Sequence, residues 1–163
     1  MTLKSAIKCL IALMFAFGVL GGALAQMPNA YGLPITLETA RKIAAPALAE
    51  AAKNNWNVAV AIVDPGGNLV YYEKMDNTQL GSAHIAVEKA RTAAMFKRPT
   101  KAFQDSLATG AENLRVLGLP GVVPAEGGFP LLIDGKIVGA IGVSGMTSAQ
   151  DAQCAKAGAD SLK

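Results

Sequence analysis

Two strand–turn–strand segments constrain the fold of this chain more than any other feature. The first joins "NVAVAIV" to "NLVYYEKM" through Asp64-Pro65-Gly66-Gly67, and the second joins "FPLLI" to "KIVGAIGV" through Asp134-Gly135. Short turns rich in Asp and Gly connect antiparallel strands, because these residues tolerate the backbone conformations that tight turns need. The segment "NVAVAIV" is almost entirely apolar, which indicates a strand covered on both faces. We predict an antiparallel sheet built from two hairpins.

Helical patterns flank both hairpins. Thr36 is a plausible N-cap for a helix over residues 37–55. The segment "SAHIAVEKARTAAMFK" places small residues on one face, among them Ala86, Ala90 and Ala93, so this helix can lie close to a sheet. Its other side carries His84, Glu88, Arg91 and Met95 at steps of four, three and four.

Two further helices are predicted toward the C-terminus. Thr100 begins a short helix that is followed by a turn and a loop, and Ser148, with Asp151 three residues on, opens a last alanine-rich helix. The element order is helix, hairpin, helix, irregular segment, hairpin, helix. This order predicts an α+β domain in which helices cover an antiparallel sheet.

The first 25 residues follow the three-part pattern of a secretory signal peptide. Lys4 and Lys8 form a basic start, an apolar run follows, and Ala23-Leu24-Ala25 has the small-x-small pattern of a cleavage site. A transmembrane anchor is the alternative, but the uncharged run of about 17 residues is at the short limit for spanning a bilayer. We predict cleavage after Ala25, export, and a periplasmic rather than extracellular location. Residues 26–35 are then an extended arm, and residues 36–163 form one domain.

The charge of the predicted mature chain argues against a nucleic-acid partner. The whole chain has 15 Lys and Arg residues against 12 Asp and Glu residues, and two of the lysines belong to the predicted leader. Nearly equal numbers of cations and anions remain, which gives no electrostatic basis for binding nucleic acid. No later segment is apolar for long enough to span a membrane. Cys154 is the only cysteine after the leader, so packing rather than an intrachain disulfide must supply stability.

The glycine-dense stretch "EGGFPLLIDGKIVGAIGVSG", residues 126–145, invites two catalytic interpretations. A dinucleotide or phosphate site needs G-x-G-x-x-G or a Gly-Lys-Ser/Thr ending, and neither is present. Gly142-Val143-Ser144-Gly145-Met146 approaches a nucleophile elbow, but Met146 stands where the second glycine belongs. We therefore interpret the glycines as architectural. Gly139 and Gly142 then mark close approach to a strand, while Gly127, Gly128 and Gly145 supply turns with positive φ.

The combination of segments resembles one family, the GlcG/HbpS proteins, also called haem-binding or haem-degrading domains. The resemblance rests on "VAVAIVDPGGNLVYYEKMDN", "EKARTAAMFKRPT", "EGGFPLLIDGKIVGAIGVSG" and "QDAQCAKAG", and it runs from about Leu37 to the C-terminus. It implies a profilin-like α+β domain that forms dimers or larger oligomers. It also implies a haem ligand for several members, and a membrane sensor or a catabolic enzyme as partner for others.

His84 is the main candidate for an axial haem ligand, since haem iron takes His, Met, Cys or Tyr and the chain has one histidine. The alternative is a solvated histidine that pairs with Glu88. Met75 and Met146 are further candidates for ligation or for packing against the ring, although methionine more often fills gaps in a core. Tyr71 and Tyr72 point to opposite faces of their strand, so one of them, which we take to be Tyr72, lines the cleft.

Three charged residues complete the candidate site. Arg91 and Arg98 are candidates for pairing with carboxylates, because a guanidinium group binds a carboxylate in a planar, bidentate way. Their alternative role is a solvated helix end. Asp76, in the "MDN" turn, either binds a polar group of the ligand or caps the next segment.

These observations lead to two hypotheses about function. The first is an exported protein that binds haem or another small planar ligand as a carrier or as an accessory to a sensor, with the ligand in a cleft beside the sheet. The second is an enzyme or an enzyme-assisting subunit that acts on a small organic acid or an aromatic compound. The sequence contains no paired carboxylates, no metal-binding cluster and no nucleophile–base set, so it favours the first.

Overall fold

The computed structural model describes residues 29–162 of the 163-residue chain, and the predicted signal peptide lies outside them. Four α-helices, one 3-10 helix and four strands make up this part of the chain. In chain order they are α1 (Leu37–Lys53), β1 (Ala59–Val63), β2 (Leu69–Lys74), α2 (Ser82–Met95), α3 (Lys101–Leu107), the 3-10 helix (Ala111–Gly118), β3 (Gly128–Ile133), β4 (Lys136–Ser144) and α4 (Ser148–Ala159). Among the helices of residues 29–162, none combines the length and the apolar character needed to cross a membrane.

The four strands form one antiparallel sheet in the order β2-β1-β4-β3. The two predicted hairpins are therefore β1–β2 and β3–β4, and they meet through the central pair β1–β4. Asp134 and Gly135 have φ angles of 49° and 71°, the left-handed conformation that a two-residue hairpin turn requires. All five residues of β1 are buried, as its apolar sequence predicts. The α+β class predicted from the sequence is confirmed.

The helix α2 covers one face of the sheet through small side chains. Ala86, Ala90 and Ala93 are fully buried, and they face alanines and glycines of β1 and β4. A Cβ atom on Gly142 would overlap the carbonyl oxygen of Ala86 and would lie 2.5 Å from the amide nitrogen of Ala90. Gly142 therefore marks a close approach of helix and strand, as predicted.

The helices α1 and α4 cover the other face, where the larger apolar side chains lie. The core cluster on this side includes Ile43 of α1, Val60 and Ile62 of β1, Ile141 of β4 and Cys154 of α4, each nearly or fully buried. One face of the sheet thus packs on small residues and the other on branched ones. This asymmetry lets α2 lie closer to the strands than α1 and α4 do.

The structure corrects two of the predicted glycine roles. Gly127 has a φ of 128°, the positive value predicted for it, but Gly128 and Gly145 do not have positive φ angles. A Cβ on Gly128 would overlap the carbonyl oxygen of Lys89, and one on Gly145 would overlap that of Asn57. Only glycine fits at these two positions, because the backbone of another segment leaves no room for a Cβ atom. A turn conformation is not the reason.

The N-cap predicted for α1 is confirmed, and the one predicted for α4 is wrong by one residue. Thr36 caps α1 as predicted, its hydroxyl accepting a hydrogen bond from the Thr39 amide at 3.2 Å. The cap of α4 is Thr147 rather than Ser148, in a capping box with Gln150. Asp151 is consequently free of any capping role and lies buried beneath the helix. The loop predicted after α3 contains the 3-10 helix.

The arm that precedes α1 runs beside the start of β4. The Ile137 amide donates to the Ala30 carbonyl and the Gly32 amide donates to the Ile137 carbonyl, both at 2.8 Å. The Ile35 amide then donates to the carbonyl of Val138, also at 2.8 Å. Since β1 pairs with β4 only from Ala140 onward, the arm occupies the part of the β4 edge that β1 leaves open.

Candidate functional site

The outer flank of α2 and the adjacent face of β2 form the surface on which three of the predicted ligand-binding residues lie. We call it the α2–β2 surface, and it consists of Leu69 and Tyr72 of β2 with His84, Arg91 and Met95 of α2. Tyr72 is the cross-strand neighbour of Ala61, and Ala61 faces α2, so Tyr72 points to the same side. All five side chains are exposed or half-buried.

His84 lies in the first turn of α2 and is exposed. The pairing of His84 with Glu88, the alternative considered above, is not what the structure shows. Glu88 instead accepts a hydrogen bond from Arg91 at 2.6 Å. The side chain of His84 forms no hydrogen bond with another residue of the described chain, so the imidazole is open to a ligand.

Arg91 is fixed at the other end of the surface. Its Nε donates to the carbonyl of Gly67 at 3.0 Å, and its Nη1 donates to Glu88. The remaining terminal nitrogen, Nη2, has no partner recorded within residues 29–162. Seven residues separate Arg91 from His84, which is about 10 Å along the helix axis and brings both side chains to the same face.

Tyr72 lies on the same side of the sheet as His84 and Arg91. It is 37% exposed, and burial of the rest of the ring raises the pKa of its hydroxyl. A raised pKa keeps the phenol protonated at neutral pH, which disfavours a tyrosinate bond to iron. Tyr72 is therefore a candidate for packing beneath a planar ligand, and His84 remains the candidate for ligation.

The structure does not bring the other four candidates to this surface. Met75 packs against the core cluster on the α1 side of the sheet, which leaves it the gap-filling role. Met146 lies between β4 and α4, where its amide donates to Asp151 at 2.9 Å, and its side chain is 39% exposed. Arg98 follows α2, with its Nε donating to the Phe96 carbonyl at 3.0 Å.

Asp76 lies in the exposed turn between β2 and α2. The cap position of α2 is Gly81, which provides no side-chain cap, so the capping role considered for Asp76 is wrong. Thr78 holds this turn instead, its hydroxyl donating to the carbonyl of Met75 at 2.7 Å. Asp76 is left at the same end of the domain as His84.

A buried ion pair escaped the sequence interpretation. Lys89 and Asp151 are each 2% exposed, and their Nζ and Oδ2 atoms are 2.7 Å apart. Lys89 also donates to the carbonyl of Val143 at 3.1 Å. Helical spacing does place Lys89 on the face of α2 that packs on the sheet, three residues after Ala86 and four before Ala93, but it does not identify Asp151 as the partner.

Three cavities on the described part of the chain lie away from His84. One of about 730 Å³ lies between the arm and the β3–β4 turn, and one of about 570 Å³ lies beside β3 and the end of α4. A third, of about 370 Å³, lies between the end of α2, α3 and the 3-10 helix and includes Arg98. None of these three cavities is the cleft beside the sheet that the sequence predicts at His84.

The α2–β2 surface fits the requirements of haem. It offers the imidazole of His84, which has no hydrogen-bond partner in the described chain, and a guanidinium nitrogen of Arg91 for a propionate. Apolar and aromatic side chains lie on the same surface. Iron bound to one imidazole would supply redox or ligand-binding chemistry there. No group of three or more His, Cys, Asp and Glu residues within 29–162 is arranged to hold a bare metal ion.

The fold and this surface define a class, a single-domain α+β protein that presents one histidine and one arginine on the flank of a sheet-covering helix. Within that class, the chain belongs to the HbpS-like family of haem degrading proteins. The model of that family matches residues 35–160.

Relatives and solved structures support this membership. The chain is 43% identical to protein GlcG of Escherichia coli K12 over 110 residues, which is 68% of this chain and 81% of GlcG. It resembles a crystal structure of a double mutant of HbpS from Streptomyces reticuli, with a TM-score of 0.73 and 35% identity over 89% of this chain and 94% of HbpS. It also resembles the crystal structure of a PduOC–haem complex, with a TM-score of 0.72 and 26% identity over 80% of this chain and 96% of PduOC.

Proposed function

We propose that this protein binds haem on the α2–β2 surface, as a carrier or as an accessory to a sensor. The observation that carries the proposal is the shared fold with PduOC, which was crystallised with haem, over most of the length of both chains. Membership in a haem-degrading family supports the same ligand.

In this proposal each residue of the surface has a distinct role. The exposed imidazole of His84 binds the iron, because it lacks a competing partner within the described chain. Arg91 pairs a propionate through Nη2, and Tyr72 packs against the ring. The spacing of two helical turns between His84 and Arg91 matches a ligand whose metal and carboxylates lie at its centre and its edge.

Haem on an open surface needs cover, and we propose that a second subunit provides it. Leu69 and Met95, both on this surface, are 49% and 56% exposed in the single chain. Apolar side chains grouped in this way are typical of a surface that another chain or a ligand covers. Export to the periplasm is part of the proposal and is supported by the signal-peptide pattern of residues 1–25.

A haemin titration followed through the Soret band tests the proposal. We expect saturation near one haem per subunit or per dimer for the wild type, and a weaker or shifted band for His84→Ala. Gln153→Ala, on the exposed side of α4, is the matched control and should behave as wild type. The absence of a saturable band at micromolar protein would contradict haem binding.

The enzyme hypothesis remains a separate prediction. An enzyme or an enzyme-assisting subunit of a catabolic pathway would show turnover, or would stimulate turnover by its partner, without any chromophore. Activity in haem-free protein that survives His84→Ala would therefore favour the enzyme hypothesis over haem binding.

A further inference from the structure

A second candidate site lies beyond the C-terminal end of α2, in the cavity of about 370 Å³. We call it the Phe–Arg cavity, and its defining residues are Phe96, Arg98, Phe103, Asn113 and Arg115. It lies between α3 and the 3-10 helix, and it shares no residue with the α2–β2 surface. Its volume is in the range of cavities that bind small molecules in other proteins.

Two aromatic rings form the apolar part of the cavity. The ring centroids of Phe96 and Phe103 are 5.5 Å apart and the ring planes meet at 81°, an edge-to-face pair. Phe103 is 6% exposed, so it is held rigidly by its surroundings, while Phe96 is half-buried. Phe96 therefore presents most of the aromatic surface of the cavity to a ligand, and the nearly buried Phe103 supports it from behind.

Two guanidinium groups provide the polar part. Arg98 lies over the ring of Phe103, with its Cζ atom 5.6 Å from the centroid, and its Nε is fixed by the carbonyl of Phe96. Its two terminal nitrogens have no partner recorded within residues 29–162. Arg115 likewise has no hydrogen-bond or ion-pair partner recorded in that range.

No carboxylate is among the residues that line the cavity, and the nearest acidic residue along the 3-10 helix, Glu112, is next to the lining residue Asn113 but does not itself line it. Asp105, on α3, is paired with Lys101 at 2.6 Å. The cavity therefore carries two positive charges beside an apolar wall, and arginine on an aromatic face is suited to planar anions because it stacks and donates paired hydrogen bonds at once.

We infer that the Phe–Arg cavity binds a small aromatic carboxylate of one or two rings, independently of haem. The ring of the ligand packs against Phe96 and Phe103, and its carboxylate pairs with Arg98 and Arg115. An aliphatic acid satisfies only the arginines, and an uncharged aromatic satisfies only the rings, so the cavity selects for both features together.

Calorimetric titration of the purified protein with three probes tests the inference. We expect 2-naphthoate to bind at one site per chain with a Kd below about 1 mM. The uncharged 2-naphthamide and the non-aromatic cyclohexanecarboxylate should each bind at least about tenfold more weakly, since a charge-assisted pair or a ring contact is lost. Equal binding of all three probes, or no binding of 2-naphthoate, would overturn it.

Substitution of the two arginines tests whether 2-naphthoate binds in the Phe–Arg cavity. Arg115→Gln and Arg98→Gln should each weaken 2-naphthoate binding at least about tenfold. Thermal stability should be unchanged in Arg115→Gln, because that side chain is exposed, and should fall only slightly in Arg98→Gln, which loses the hydrogen bond to the Phe96 carbonyl. Arg41→Gln, an exposed arginine of α1, is the control and should bind as wild type. Undiminished binding in both Arg115→Gln and Arg98→Gln would refute the assignment.

The haem proposal and the inference about the Phe–Arg cavity are tested by different variants, so that one can fail without the other. Haemin should bind equally well to wild type and to Arg115→Gln, and 2-naphthoate should bind equally well to wild type and to His84→Ala. If Arg115→Gln abolishes haemin binding, the cavity belongs to the haem site and the inference of an independent site is wrong.

Discussion

The Nζ of Lys89 lies 2.7 Å from the Oδ2 of Asp151, and the two side chains are 2% and 3% exposed. The pair joins α2, on one face of the sheet, to α4, on the other, past the end of β4. Its remaining polar atoms are also engaged, since Lys89 donates to Val143 and the Oδ1 of Asp151 accepts the amide of Met146. The two helical layers are thus connected by a charge pair that excludes water.

Breaking this pair should be costly. Lys89→Met leaves a buried carboxylate without its cation, which typically lowers the free energy of unfolding by about 3–5 kcal/mol. Chemical denaturation measures the loss. The matched control is Lys42→Met, whose ion pair with Glu38 is largely exposed, and that change should cost less than about 1 kcal/mol.

The double variant Lys89→Met/Asp151→Asn should lose less stability than the sum of the two single variants. Removing both charges avoids an unpaired buried ion, and the amide that replaces Asp151 still accepts the Met146 amide. Strictly additive losses would show that the two residues contribute independently and would contradict the coupling.

Asp151 also gives the protein a pH dependence of defined sign. Burial raises the pKa of its carboxyl, and the hydrogen bond and charge of Lys89 only partly oppose this effect. The folded state then holds the proton to a higher pH than the unfolded state, so this group's contribution to stability is largest below its unfolded pKa and falls as pH rises through the folded pKa. Each unit of difference between the two pKa values is worth about 1.4 kcal/mol.

The comparison that isolates this contribution is wild type against Asp151→Asn, with the free energy of unfolding measured between pH 3 and pH 8. The stability of wild type relative to the variant should fall as pH rises from about 4, near the ordinary carboxyl pKa. A relative stability that rises with pH over the same range would mean that Lys89 lowers the pKa of Asp151 after all.

Gly142 should not tolerate a methyl group. The added Cβ would overlap the backbone of α2 at Ala86, and neither helix nor strand has room to move without opening the core. Gly142→Ala should lower the free energy of unfolding by about 3 kcal/mol or more. Gly81→Ala is the control, because a Cβ there has open space around it and the φ is −62°, and its effect should stay within about 0.5 kcal/mol.

Cys154 should be inert in the folded protein. It is fully buried, and burial, with smaller contributions from Asp151 and Glu50, raises the pKa of its thiol to about 11. At pH 8 only about one thiol in a thousand is ionised, and a thiol reagent reacts with the thiolate. A disulfide-exchange reagent should label Cys154 slowly in buffer and rapidly in denaturant, and fast labelling of the folded protein would contradict this environment.

The sequence predicted the sheet because each of its signals is local. The turns Asp64–Gly67 and Asp134–Gly135 specify hairpins through a few residues each, and the alanine face of α2 follows from helical spacing. The prediction was wrong where packing between distant segments decides the outcome. Gly128 and Gly145 are required by the backbones of Lys89 and Asn57, neither of which is a sequence neighbour.

The candidate site was predicted less completely for the same reason. Tyr72 lies on the same side of the sheet as His84 and Arg91 because it pairs with Ala61, which faces α2, whereas helical periodicity alone relates only His84 and Arg91. Met75 and Arg98 look equally suitable in the sequence, but the fold directs one into the core cluster and the other into the Phe–Arg cavity. Lys89 and Asp151 are 62 residues apart, so nothing local to either predicts the pair.

The central claim is that His84 binds haem iron, and rescue of a His84→Gly variant by free imidazole tests it most directly. We predict that haemin gives the variant a weakened or shifted Soret band, and that millimolar imidazole restores the wild-type band by occupying the vacated position. A variant that shows the wild-type band without any imidazole would contradict the assignment of His84 as the ligand.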